Sequence, residues 1–294
     1  MSPRPLDCRA AALTLVLCAL WGFNQVVVKA GLPEIGPIWQ TGARSAVGCV
    51  CVAAYAILTR RRVFVRDGSE TAGVIAGLLF AAEFIALYES LRWTTAARAT
   101  VFIYASPFFV AVGALIFLKA ERLRSLQWLG LALAFAGVAV GLAKPAPGGG
   151  VIGDGLALTA AALWAATTLV ITASPLRRVD PAKTLLYQIA IAALISPAAA
   201  ALFGEKPPTH LSPFAIGLLL WQGAVVVGAS YAAWFWLLKT YRAPQLVAFT
   251  FVTPLVGVFA GWLAFGEEVT AAFAVAIALV VAGVALVNWP RRAN

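Results

Sequence analysis

Several polar and charged side chains stand where the flanking sequence is apolar: Asn24, Gln25, Arg44, Glu83, Gln188 and Gln222. Such groups are costly inside a membrane and normally face a cavity, a partner or the interior of a helix bundle. Trp21, Asn24, Gln25 and Val28 follow the i, i+3, i+4, i+7 spacing of one helix face, and Trp164, Thr167, Thr168 and Ile171 repeat that face. Gln40 and Arg44 lie one turn apart, as do Thr184 and Gln188. Rings at depth join them: Tyr88, Tyr104, Trp221, Tyr231, Trp234 and Trp236, with Phe251 at the position matching Tyr104. This set suits reversible binding by hydrogen bonds, cation–π contact and stacking. It does not suit bond-making. The lone histidine, His210, lies in a loop, and the sequence shows no Ser/His/Asp set, metal cluster or P-loop. Cys8, Cys18, Cys49 and Cys51 have neither metal-site nor disulfide spacing and read as core residues. No cofactor and no metal are implied.

Arg44 and Glu83 carry the sharpest expectation. Arg44 lies seven residues from Pro37, so it is about 10 Å deep at the helical rise. Glu83 precedes Ser90, at the matching end of the next helix, by the same interval. The two charges should sit at one depth, with Glu83 facing the interior and paired to Arg44 or Asn24. Two readings stand: a structural ion pair fixing the first three helices, or a group for proton coupling or for binding a substrate ammonium.

The elements that position these residues follow from composition. The 294 residues are 62% hydrophobic and 12% charged, with a mean hydropathy of +0.90. A soluble domain carries about 25% charged residues, so the excess apolar surface needs the bilayer as solvent. Ten stretches are long enough to span it: about 10–30, 37–58, 71–91, 94–117, 124–143, 153–173, 181–203, 213–238, 243–265 and 270–288. The first begins behind Arg4 and Arg9 like a signal peptide. It runs on past Asn24 without a small-x-small cleavage site, and Leu17 is too large to precede a lipoprotein cysteine, so it reads as a retained helix. The net charge of +10 is no nucleic-acid footprint, because the basic residues cluster in short loops. With the N-terminus in the cytoplasm, sixteen of them fall inside and five outside, which places both termini in the cytoplasm. Trp39, Trp93 and Trp289 sit at span ends, as interfacial belt residues do.

The Pro/Gly linker 145–152 divides the chain into 1–144 and 153–294, and the halves resemble each other. Leu91 to Pro107 matches Leu238 to Pro254 at an offset of 147. Glu121 and Glu267 follow, then Gly137-Val138-Ala139 and Gly283-Val284-Ala285. Five helices is an odd number, so the second copy is inverted, a construction recurrent in secondary transporters. Pro107 and Pro254 each interrupt a long apolar helix; the kinks either shape a cavity and take part in gating, or are static packing features. Gly137-x-x-x-Gly141 is a small-xxx-small pattern, for packing within a monomer or between the two copies of a homodimer.

The order and duplication of Trp21-Gly22-x-Asn24, Lys29, Pro107…Glu121-x-Leu123 with Gly130 and Gly137, then Pro254…Gly266-Glu267-x-Val269-Thr270 and Gly283 resemble the ten-helix EamA-type branch of the drug/metabolite transporter superfamily. Trp164-Ala165 stands where Trp-Gly is usual, and Ile277 where a second glycine is often found. The resemblance implies a multi-pass protein of the bacterial inner membrane that exports small metabolites, such as amino acids. The richness in aromatic residues fits aromatic or bulky ones; efflux of drugs or quaternary cations is the rival. Site residues expected on this reading are Trp21, Asn24, Gln25, Arg44, Glu83, Tyr104, Trp164, Thr168, Gln188, Gln222, Tyr231 and Phe251, with Pro107 and Pro254 as kinks. If Glu83 couples protons, Glu83→Gln is expected to lose the pH dependence of transport; a normal pH profile in this variant removes the coupling role.

Overall fold

In a bilayer each backbone N–H and C=O must find a partner within its own segment, and helices meet that demand. The computed structural model describes residues 7–117, 125–143, 150–241, 246 and 248–287, and these form an all-α bundle. In chain order the helices are α1 (Cys8–Gly31), α2 (Pro37–Leu58), α3 (Glu70–Ser90), α4 (Ala96–Phe117), α5 (Ser125–Ala143), α6 (Val151–Ala173), α7 (Pro181–Leu202), α8 (213–240), α9 (248–265) and α10 (Ala271–Val287). Eight contain stretches long and apolar enough to cross a membrane; the apolar helices of α9 and α10 are shorter. The segments match the expected spans within a few residues, except that α9 is described only from residue 248. Glu121, residues 145–149 of the linker and Trp289 lie outside the described residues.

Local sequence sets the helix ends. Asp7, Thr95, Asp180 and Ser212 accept backbone N–H groups at the starts of α1, α4, α7 and α8. Pro37 and Pro181 open α2 and α7, where the missing N–H costs nothing. Inside a helix the same residue is disruptive. Helix α4 breaks at Tyr104 and Ala105, three and two residues before Pro107, and Ala105 N–H reaches back only to Phe102 O, at 3.0 Å. In α9 a 3₁₀ turn, Ala248–Phe251, gives way to α-helix at Val252, two residues before Pro254. Both breaks fall at the repeat-equivalent position.

One feature was not foreseen from sequence. Residues Trp221–Ala229 of α8 form a π-helix. Here α8 comes close to α2: a Cβ added to Gly223 would lie 2.8 Å from Arg44 O, and one added to Gly228 would lie 2.8 Å from Cys51 Cβ. The wider turn therefore presses the α8 backbone against the stretch of α2 that carries Arg44. Local π segments recur at functional sites.

Packing follows the duplication. Under the pairing α1/α6, α2/α7, α3/α8, α4/α9 and α5/α10, the contact of α1 with α9 corresponds to that of α6 with α4, and α2 with α8 to α7 with α3. The pairs α2–α7 and α5–α10 map onto themselves. All of these contacts are present, which is what a two-fold relation between the halves requires. The α3–α6 and α1–α8 contacts are less alike. Helix α6 presents Ala157, Ala160 and Ala161, buried in one cluster with Leu87, Tyr88 and Leu91. Helix α8 instead meets α1 through rings: Trp21 lies 6.1 Å from Tyr231 and 5.4 Å from Trp234, and Phe23 lies 6.0 Å from Trp221. Small residues admit close approach, whereas bulky rings hold two helices apart.

Candidate functional site

Helices α1, α2 and α3 bring Asn24, Gln25, Arg44 and Glu83 to the interior, each less than 10% exposed. Asn24 Nδ2 donates to Tyr88 Oη at 3.5 Å. The Arg44 guanidinium lies 3.7 Å from the Phe84 ring centre and 5.1 Å from that of Tyr88. Tyr231, on α8, joins from the second half through its contact with Trp21, and Trp21 Nε1 donates to Ser230 Oγ at 2.9 Å. Tyr104, at the α4 break, meets Trp164 of α6 edge-on at 5.8 Å. The two Trp-x-x-polar-polar faces thus both reach aromatic neighbours from the other half.

The cluster is under-satisfied. Asn24 Oδ1, Gln25 Oε1 and Arg44 Nε are buried without a hydrogen-bond partner. The expected ion pair is absent: among the described residues, Arg44 and Glu83 form none within 4.0 Å, and Asn24 bonds to Tyr88 rather than to Glu83. Helix length does not fix the rotation of each helix about its axis. The Arg44 guanidinium lies over the Phe84 ring instead.

Other expected residues are placed differently. Gln222 is fully buried, and its Nε2 donates to Gln40 Oε1 at 3.0 Å, while Gln40 Nε2 donates to Val28 O and Ile35 O. This chain ties α8 to α2 and to the end of α1, and Gln222 Oε1 is left buried without a partner. Thr168 Oγ1 donates to Trp164 O, one turn back in its own helix. Gln188 is half-buried on α7. Trp236 is 51% exposed, on the outer surface of α8. The Phe251 side chain lies outside the description.

Sequence reasoning missed the bridges at the end of the bundle opposite the arginine-rich loops. Asp154 is buried at the start of α6 and takes Arg98 Nε at 3.0 Å, Arg98 Nη2 and Thr94 Oγ1 at 2.8 Å. Glu267 follows Gly266, whose φ of +62° turns the chain back under α4. Its oxygens accept Ala96 N–H at 2.8 Å and Ala97 N–H at 2.9 Å, and Lys29 Nζ lies 2.8 Å away. Glu205 accepts the N–H groups of Ile38 and Trp39 and pairs with Arg92 at 2.8 Å. Two carboxylates of the second half thereby cap α4 and α2 of the first, where the helix dipole favours negative charge. A lone acid in the first turn of an apolar helix was the available signal for Asp154.

At the arginine-rich end, Arg61 pairs with Asp180 and Lys183 with Asp67, both at 2.8 Å. Hydrogen bonds from Lys183 and Ser69 hold the Asp67 carboxyl down at about 2, below its usual 3.8. A depressed carboxyl stabilises the fold above its ordinary value, and that stability is lost as pH falls toward the depressed one. Thermal unfolding across about pH 4 to about pH 2 is expected to show a smaller acid loss in Asp67→Asn than in the wild type. Identical acid profiles would deny the pair a role.

The comparisons with known proteins agree with this architecture. The EamA-like transporter family matches residues 9–142 and, a second time, residues 151–289. The chain is 27% identical to the uncharacterised transporter YvbV of Bacillus subtilis, over 97% of this chain and 93% of the relative. It is 26% identical to a probable amino-acid metabolite efflux pump of Salmonella typhimurium, over 92% of each. A solved crystal structure with 21% identity superposes with a TM-score of 0.68 over 96% of each chain, which speaks to the fold. One family thus accounts for both halves, and its match spans nearly all of a chain whose apolar helices fit a membrane. This multi-pass membrane protein belongs to the EamA-like transporter family.

Proposed function

We propose that the protein is a secondary transporter that exports amino acids, aromatic ones among them, or related small metabolites across the bacterial inner membrane. On this reading the halves 1–144 and 153–294 alternate between two arrangements, with the arginine-rich end and both termini in the cytoplasm. The observation that carries it is the under-satisfied polar cluster inside the bundle, built by α1, α2 and α3 and approached by Tyr231 of the other half. Buried polar groups without partners are expensive, and a passing polar ligand supplies the partners. The breaks before Pro107 and Pro254 add joints in two equivalent helices, so each half can change shape without unfolding. The name carried by the Salmonella relative supports the amino-acid class.

Counterflow in proteoliposomes tests this, using twenty amino acids at two pH gradients and a cationic dye in a parallel arm. Exchange of a subset of amino acids is the expected outcome. Transport of the dye alone would move the protein to cation efflux, and no exchange of any amino acid would overturn the amino-acid reading.

A further inference from the structure

We propose that Arg44 and Glu83 form a two-point clamp for a zwitterion, with Arg44 receiving the carboxylate of the transported molecule and Glu83 its ammonium group. This rests on the transport reading above and assigns the chemistry within that site.

Lys29, Arg61, Arg92, Arg98 and Lys183 each pair with a carboxylate. Arg98 shows that this fold buries an arginine together with its counter-ion. Arg44 is buried just as deeply, at 2% exposed, yet among the described residues it forms no ion pair within 4.0 Å, and its Nε has no hydrogen-bond partner. Glu83, 5% exposed and in the next helix, is likewise without a hydrogen bond or ion pair. Breaking up a buried pair is strongly destabilising when one partner stays uncompensated. Two opposite ionisable groups buried in one cluster without a direct ion pair leave a place between them for a ligand that carries both charges.

Geometry supplies the second argument. A guanidinium is planar, and its five N–H groups lie in that plane. The Phe84 ring lies 3.7 Å from the guanidinium carbon, and the unpartnered Nε is available to a carboxylate, the partner that takes two parallel N–H bonds. Asn24 Oδ1 and Gln25 Oε1 are buried acceptors without donors. An ammonium carries three donors and no acceptor, so it matches these two oxygens and the Glu83 carboxylate. An amino acid carries both charges on one carbon, and the clamp offers one site for each. The aromatic side chains of Tyr88 and Tyr231 beside it suit a substrate with an apolar side chain.

Three probes that share one side chain separate the points of the clamp. They are the amino acid the wild type exchanges best, its amide, which lacks the carboxylate, and its des-amino acid, which lacks the ammonium. Counterflow by the wild type is expected to favour the amino acid over either analogue by about tenfold or more, the worth of one charge-assisted hydrogen bond. Arg44→Gln and Glu83→Gln should each lose exchange of the amino acid, and Arg44→Lys should keep part of it. The wild-type probe series decides the matter even where a variant fails to fold. Equal exchange of amino acid and amide overturns the Arg44 assignment, and equal exchange of amino acid and des-amino acid overturns the Glu83 assignment. Either result leaves the transport reading intact, whereas no exchange of any amino acid removes both.

Discussion

Asp154→Ala is expected to lower stability by about 3–5 kcal/mol, the cost of stranding one member of a buried ion pair. Asp154 is fully buried, and Arg98 is 3% exposed. Arg98 Nη2 also donates to Gly141 O at 2.7 Å, so the pair fastens α4 to both α5 and α6. Without the carboxylate, the guanidinium has to reach water past Phe102 and Phe273, whose rings lie 5.3 Å and 5.1 Å from it. Arg98→Ala should cost a similar amount. The double variant Arg98→Met/Asp154→Leu should recover much of the loss, because well-packed apolar residues often replace a buried pair without penalty. In a Cys8→Ser background, which removes the exposed thiol, a thiol-reactive dye reads unfolding through Cys18, free and fully buried. An unchanged midpoint in Asp154→Ala would show that the bridge does not hold these helices.

Gly283→Val is expected to force α5 and α10 apart, at about 1–3 kcal/mol or more. A Cβ on Gly283 would lie 2.6 Å from both Ala134 N and Gly130 O. Both atoms belong to the backbone, so no rotamer change relieves the clash. Gly137 is its counterpart: a Cβ there would lie 2.8 Å from Ala276 O. The two glycines are repeat equivalents, and each admits the other half's helix. Gly217→Ala is the control, because nothing lies within 4 Å of a Cβ at that position. If Gly283→Val melts with Gly217→Ala, the close approach of the two helices is wrong. Gly141 of the small-xxx-small pattern also faces inward, onto Phe102.

The helices themselves were legible because the bilayer leaves the chain little choice. A stretch of about 20 apolar residues spans it and must be helical. The positions of Pro107 and Pro254 also announced their breaks, since a missing N–H acts wherever the helix goes. Duplication was readable from order and spacing alone. Rotation about each helix axis was not. In a membrane helix the lipid-facing and interior faces are both apolar, so hydropathy carries little information on direction. The sequence therefore placed Arg44 and Glu83 at one depth but could not say whether they touch. It listed Gln222 beside Asn24 and Gln25 but could not show that Gln222 Nε2 binds Gln40, while all three keep a buried oxygen without a partner. It also passed over Asp154, whose partner Arg98 lies 56 residues away in sequence. By itself the sequence determined the number, length and duplication of the spans, because burial in lipid acts on each segment separately. Which charges meet and which stand apart was decided only by tertiary structure, because that depends on how neighbouring helices turn toward one another.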